Sequence, residues 1–156
     1  MHLYFAYGSN LSLAQIRERT DNQELKPLYT AYLPDKKLCF PRKSTLQKGG
    51  VASYEDQEKH KLWGTVFNLT GDELNKIDTK EGYKVNRNGN SYERVEIEVI
   101  KLDETRIRAL TYCTNPEGAY LPSQYYMNKL IHGAEDCHLP LYYIQELRNI
   151  QTNGID

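Results

Sequence analysis

The feature that most constrains the fold of this chain is an apolar, aromatic run near its start that stops abruptly at a glycine. Residues 3–7 (Leu-Tyr-Phe-Ala-Tyr) are of the types that favour a β-strand. The run breaks at Gly8, passes through Ser9 and Asn10, and leads into residues 12–17, which are predicted to form a helix. Backbone N–H groups at such a corner lack partners and point the same way, which favours an anion or a developing negative charge. An ordinary strand–helix corner is the alternative that these residues leave open.

Composition excludes several classes of protein. A chain of 156 residues predicts a single domain over residues 1–156, large enough to bury a core. A net charge of −1 gives no reason to expect nucleic acid or anionic lipid as a partner. No apolar run approaches the roughly 20 residues that cross a bilayer, and no charged-then-apolar leader precedes Tyr4. We therefore expect no membrane and no nucleic-acid partner.

The cysteines indicate a reducing compartment. Cys39, Cys113 and Cys137 are odd in number and widely spaced, which fits neither a disulfide framework nor a zinc site. A cytoplasmic location is the simplest interpretation.

The most polar stretch, residues 35–61, is predicted to be a loop-rich insertion with short strands and a solvated, charged face. Within it, Gly49 and Gly50 form a glycine pair that enters a short strand over residues 51–54.

A strand followed by a capped helix is the clearest succession of elements. Residues 62–69 alternate well enough for a strand. Thr70 and Glu73 can satisfy each other's backbone N–H groups in a capping box, and Gly82 can end the helix in the left-handed conformation. Glu81 is therefore predicted at a helix C-terminus, where the helix dipole disfavours an ionised carboxylate. Such a carboxylate either escapes to water or serves a function.

The rest of the chain predicts the fold class. Residues 92–100 alternate strictly, and residues 106–113 are a plausible hairpin partner. Two amphipathic helices follow, beginning near Ser123 and at Pro140. We expect an α+β domain built on a curved, mostly antiparallel or mixed sheet or barrel that is flanked by helices. The helices leave a homodimer interface and an intramolecular core as open alternatives.

Six landmarks occur along the chain in a fixed order. They are residues 7–11 (Tyr-Gly-Ser-Asn-Leu), 49–52 (Gly-Gly-Val-Ala), 62–67 (Leu-Trp-Gly-Thr-Val-Phe), 73–83 with Glu81-Gly82-Tyr83, 92–95 (Tyr-Glu-Arg-Val), and the tail 122–141. With them the chain resembles the γ-glutamylcyclotransferase family over nearly its whole length. The tail looks most like the branch that acts on free γ-glutamyl amino acids, and less like the branch that acts on γ-glutamyl-lysine crosslinks.

The resemblance implies an intramolecular aminolysis that needs no cofactor and no metal. The α-amine of a γ-glutamyl group attacks its own side-chain amide, so that 5-oxoproline forms and an amine or amino acid leaves. Tethering of the two reacting groups can supply about 7–11 kcal/mol of the barrier. The family's acid/base is a glutamate in a Glu-Gly pair, which matches Glu81 here. A carboxylate at a helix end that is also screened from water has a raised pKa, which suits proton transfer.

The resemblance also implies which residues hold the substrate. Tyr7, Gly8, Ser9, Asn10 and Leu11 match the family's substrate-binding loop, whose backbone donors can hold a carboxylate or an oxyanion. Tyr125 matches a family tyrosine near the glutamyl group, and a core position is its alternative. No histidine lies in a pattern that would activate Ser9 as a nucleophile.

Two segments depart from the family pattern, and both are expected to border the site. Lys48 stands where an aromatic residue is more usual, and the polar segment 84–90 has no family feature. The leaving group is therefore open between a free amino acid, an amine and a carrier-bound group. A non-catalytic module that binds γ-glutamyl metabolites is a further alternative. A nucleotide phosphate loop is disfavoured, because neither of its glycine-rich patterns is present.

Overall fold

Five strands close into a barrel, and four α-helices lie against it. The computed structural model describes residues 1–156. The strands are β1 (His2–Ala6), β2 (Tyr29–Ser44), β3 (Gly49–Leu69), β4 (Glu93–Lys101) and β5 (Arg106–Cys113). They are hydrogen-bonded in the order β1-β3-β2-β4-β5, and β5 closes the barrel by pairing in parallel with β1, whereas the other pairs are antiparallel. The predicted α+β fold with a curved, mixed sheet or barrel is confirmed.

The helices lie where the local sequence signals predicted them. They are α1 (Leu13–Thr20), α2 (Gly71–Glu81), α3 (Gln124–Asp136) and α4 (Leu141–Arg148), and a short 3-10 helix spans Ser9–Leu11. The capping box of α2 is present, since the Thr70 hydroxyl accepts from the backbone of Glu73 and the Glu73 carboxylate accepts from that of Thr70. Gly82 ends α2 with a φ of 71°. None of the helices is both long and apolar enough to span a membrane.

The prediction of a loop-rich insertion over residues 35–61 was wrong. This stretch belongs to a long hairpin in which β2, of 16 residues, pairs with β3, of 21 residues. Pairing runs from Tyr29 opposite Val66 to Ser44 opposite Gly49, with two register shifts along the way. Charged side chains on the outer part of the hairpin stay in solvent while the backbone groups pair with the neighbouring strand. Because apolar alternation is missing there, the sequence gives no strand period to detect.

Strand β1 is buried on both faces, which makes it a fixed support for the loop that follows it. Phe5 contributes to the larger apolar cluster, which also includes residues of α3 and α4 such as Leu130 and Leu147. Tyr4 contributes to a smaller cluster with residues of α1 and α2, among them Ile16. Since successive strand residues point to opposite faces, β1 lies between the two clusters.

A glycine of α3 lets this helix approach the 3-10 helix that follows β1. A Cβ atom on Gly133 would lie 2.3 Å from the carbonyl carbon of Leu11. Atoms cannot approach so closely, so only glycine allows this contact. The position of the loop after β1 therefore depends on α3.

Replacing Gly133 by Ala is expected to destabilise the protein by about 1–3 kcal/mol, because the added methyl group overpacks the contact with Leu11. The matched control is Gly71→Ala, since a Cβ at that position has no neighbour closer than 3.9 Å. The control is expected to change the free energy of unfolding by less than about 0.5 kcal/mol. Urea denaturation of both variants measures the difference, and equal midpoints would contradict the proposed close approach.

Candidate active site

A cavity of about 310 Å³ opens where β1 ends. It brings together residues that are far apart in the sequence, since Tyr7, Gly8, Ser9 and Asn10 line it together with Glu81. Its wall also includes the hydroxyl-bearing side chains of Tyr4, Tyr92, Tyr112 and Tyr126. Five of the predicted site residues thus share one cavity.

The loop after β1 leaves a backbone donor free at this cavity. The N–H of Gly8 makes no hydrogen bond within the protein, and no side chain caps the 3-10 helix that begins at Ser9. A Cβ on Gly8 would lie 3.2 Å from the Cβ of Ala52 and 3.4 Å from the hydroxyl of Tyr126. Glycine therefore keeps this wall open, and an anionic group can approach the backbone.

Glu81 reaches the cavity from the last position of α2. Its side chain is only 17% exposed. The Asn10 side-chain amide donates to the Oε1 atom of Glu81 at 3.2 Å, and the guanidinium of Arg19 lies 3.5 Å from the same oxygen. The other oxygen, Oε2, accepts no hydrogen bond from the protein. Among the buried side-chain polar atoms, only the hydroxyl of Tyr143 lacks a partner; Oε2 also lacks one but is not buried, so solvent can reach it.

Burial changes the protonation of the site. Loss of hydration raises the pKa of Glu81, while the Arg19 charge and the Asn10 hydrogen bond offset part of that rise. Burial also raises the pKa of Tyr126 to about 12 and shifts the pKa of Tyr4 and of Tyr92 further upward. The tyrosines therefore keep their protons at neutral pH, and Glu81 is the acidic group of the cavity that can exchange one.

A partly buried ion pair anchors the end of α2 that carries Glu81. Asp78, one turn earlier, accepts a hydrogen bond from the hydroxyl of Tyr112 and one from Arg94 at 2.6 Å. Both partners lie on neighbouring barrel strands, β5 and β4. Sequence reasoning missed this anchor, although an acidic residue on the apolar side of a short helix was a signal that could have been followed.

Two residues that the resemblance placed against the substrate lie elsewhere. Tyr125 does not line the cavity, and the residue is 38% exposed. The ammonium groups of Lys48 and Lys129 lie over its ring, at 4.7 and 4.5 Å from the ring centre. Its neighbour Tyr126 lines the cavity instead, because consecutive helical residues point about 100° apart. Leu11 is fully buried in the apolar core and does not reach the cavity.

A second layer of polar side chains, which sequence reasoning also missed, supports the loop. The Gln15 amide donates to the Ser9 hydroxyl at 2.8 Å and to the Asn10 side chain at 3.0 Å. Lys129 donates in turn to Gln15 at 3.0 Å and to Gln47 at 3.1 Å.

Histidine is absent from the cavity wall, so no imidazole is in place to activate Ser9. No group of three or more His, Cys, Asp and Glu residues could hold a metal ion.

The segments that depart from the family pattern lie beside the cavity rather than in its wall. Lys48 donates to the carbonyl of Asp156 at 2.7 Å. Gly89 and Asn90, at the end of segment 84–90, line a separate polar cavity of about 270 Å³. Arg42 and Ser91 line both cavities, so the two are adjacent.

Comparison with known proteins agrees with the fold. The profile of the AIG2-like family matches residues 61–147. Gamma-glutamylcyclotransferase from Homo sapiens is 33% identical over 156 residues, which cover 97% of this chain and 79% of the human protein. A solved gamma-glutamyl cyclotransferase superposes with a TM-score of 0.87 at 30% identity, covering 97% of this chain and 89% of the other. An uncharacterized protein from Homo sapiens gives 0.89 at 30% identity, covering 99% and 90%.

The matches show both the class of enzyme and the family. The fold and the curated relatives are those of gamma-glutamylcyclotransferases, and the chain is an enzyme of that type. It belongs to the AIG2-like family.

Replacing Glu81 by Gln is expected to stabilise the folded protein at neutral pH relative to acidic pH. A carboxyl whose pKa is raised by burial favours folding fully below its unfolded-state pKa, and that contribution is lost as pH rises through the folded-state pKa. Glutamine carries no such penalty. The difference in unfolding free energy, variant minus wild type, should therefore grow between about pH 4 and pH 8.

Chemical denaturation across that range measures the difference. Glu96→Gln, at an exposed position on β4, controls for the loss of one negative charge. A Glu81→Gln difference that is constant with pH, or that shrinks as pH rises, would contradict a buried, ionisable Glu81.

Proposed function

We propose that this chain catalyses γ-glutamyl cyclotransfer, with Glu81 as general acid and base. The α-amine of the substrate attacks the carbonyl carbon of its own γ-amide. A C–N bond closes the five-membered ring of 5-oxoproline, and the original amide C–N bond breaks to release an amino acid or amine. The observation that carries the proposal is the largely buried Glu81 carboxylate, which lines the cavity beside the Gly8–Asn10 loop and whose Oε2 atom has no protein partner.

Proton transfer explains why a buried carboxylate is needed. The substrate's α-nitrogen arrives as an ammonium group and must lose a proton before it can attack. Oε2 of Glu81 takes that proton and later delivers one to the leaving nitrogen, which departs as an amine. Oε1 stays an acceptor throughout, because Asn10 donates to it. A pKa raised by burial brings the group closer to neutral pH, where it can both take and give a proton.

The loop after β1 supplies the stabilisation of charge. When the α-amine attacks, negative charge develops on the carbonyl oxygen. Backbone N–H groups at Gly8, Ser9 and Asn10 can donate to that oxygen or to the α-carboxylate of the substrate. The free N–H of Gly8 supports this role. Ser9 contributes its backbone N–H here, while its hydroxyl accepts a hydrogen bond from Gln15.

The charge of the cavity favours an amino acid as the leaving group. Four cationic side chains and one carboxylate line it; the cations are Arg19, Arg42, Lys43 and Lys80. A γ-glutamyl amino acid carries two carboxylates that such a wall attracts, whereas a γ-glutamyl polyamine carries extra positive charge that it repels. Release of an amine or of a carrier-bound group is the runner-up, and a binding module without turnover follows. Three free cysteines support a reducing, cytoplasmic setting for this activity.

Turnover is tested by mass-spectrometric detection of 5-oxoproline released from γ-glutamyl amino acids, γ-glutamyl amines and a γ-glutamyl-lysine peptide. We expect release from the amino acid conjugates. Glu81→Gln should lower kcat by about 10²–10⁴-fold, since that is the usual contribution of general acid–base catalysis. Glu96→Gln, on an exposed position, is the matched control and should turn over like the wild type.

The same panel separates the alternatives. Release from the amines alone would move the assignment to that substrate class. Binding of γ-glutamyl amino acids without any release, by folded wild-type protein, would support the binding module. Full activity of Glu81→Gln would overturn the catalytic role of Glu81.

A further inference from the structure

We propose that Arg19 is a positioning residue for Glu81. Arg19 holds the Oε1 atom of Glu81 in place through Asn10, and this leaves Oε2 as the only oxygen that exchanges protons with the substrate. The inference rests on the proposed function, because it concerns how the same carboxylate is prepared for its work. Arg19 lies in the last turn of α1, an element that the family landmarks do not include.

The side chain of Asn10 has one possible orientation. Its Nδ2 atom donates to the Tyr4 hydroxyl at 2.9 Å and to Glu81 Oε1 at 3.2 Å. Its Oδ1 atom accepts from Arg19 and from Gln15, each at 3.0 Å. A flipped amide would place its NH₂ group against these two donors, so the arrangement admits no reversal. Asn10 is also buried, which makes an unpaired amide costly.

Arg19 acts on Glu81 by two routes. Through Asn10 it fixes the donor that holds Oε1, and directly it places a positive charge 3.5 Å from that oxygen. No other cationic group lies within 4.0 Å of the Glu81 carboxylate. The other polar groups of the cavity wall around Glu81 include the hydroxyls of four tyrosines (Tyr4, Tyr92, Tyr112 and Tyr126). They also include the more distant cations Arg42, Lys43 and Lys80.

The contact is screened from water, so it is stronger than a surface ion pair. The side chains of Arg19 and Glu81 are 15% and 17% exposed. Arg19 makes no salt bridge with any other carboxylate, and its only side-chain hydrogen bond is to Asn10. Its guanidinium therefore serves this site and no other part of the fold.

Loss of Arg19 is expected to shift the pKa of Glu81 in a direction that can be measured. Without the nearby positive charge, burial alone acts on the carboxyl, and the pKa of Glu81 rises further. The acidic limb of the pH profile of kcat/KM, on which Glu81 must lose its proton to act as a base, then moves to higher pH. An opposite charge within about 4–6 Å changes a pKa by about 1–3. At pH values on the acidic side of the shifted limb, kcat/KM should therefore fall about tenfold or more.

The experiment compares Arg19→Gln, Arg19→Lys and Arg17→Gln over pH 5 to 9, with a γ-glutamyl amino acid as substrate. Arg17 lies on the same helix, and its guanidinium holds the Leu25 carbonyl at 2.9 Å, so its removal matches the loss of charge and of a hydrogen bond. Arg19→Gln should move the acidic limb upward. Arg19→Lys should keep most of the wild-type profile, and Arg17→Gln should leave it in place.

A direct readout accompanies the kinetics. With ¹³C-labelled glutamate, the carboxyl resonance that disappears in Glu81→Gln belongs to Glu81, and its titration midpoint should rise in Arg19→Gln. A limb and a midpoint that stay unchanged in a folded Arg19→Gln protein would overturn the inference. If instead Glu81→Gln keeps wild-type turnover, the proposed function itself fails, and the two failures are thereby distinguished.

Discussion

The contact between Asn10 and Glu81 is the interaction on which the site depends. It joins the loop after β1 to the end of α2, two segments that lie 71 residues apart in the sequence. Neither segment alone makes the proposed proton-transfer site, because the loop has donors without a carboxylate and the helix end has a carboxylate without donors. Their contact is partly buried, so the hydrogen bond and the nearby charge of Arg19 act in an environment of lower dielectric constant than bulk water.

The rest of the fold holds these two segments in register. Strand β1, buried on both faces, fixes where the loop begins, and Gly133 of α3 fixes where it ends. Helix α2 is capped at its start by Thr70 and is tied near its end to the barrel through Asp78. A carboxylate that is screened from water in this way is expected to lower stability at neutral pH, which is a common cost of functional groups in such sites.

Local signals and long-range packing explain what the sequence could and could not predict. The capping box and Gly82 are local features, so the position of Glu81 at a helix end followed from them. The great length of β2 and β3 depends on pairing between distant residues and left no apolar alternation to read. Tyr126, and not Tyr125, lines the cavity because of the face that α3 turns toward the barrel. Long-range packing of the helix decides which face that is. Arg19 looks like a solvated helix residue until α1 is placed beside α2.

The most direct test of this account is a crystal structure of the Glu81→Gln variant with γ-glutamyl-alanine bound. The account predicts that the α-nitrogen of the substrate lies about 2.6–3.2 Å from the side-chain atom that replaces Oε2. The γ-carbonyl oxygen should face the backbone N–H groups of residues 8–10. A substrate whose α-nitrogen points away from residue 81, or whose γ-amide lies in the neighbouring polar cavity, would contradict it.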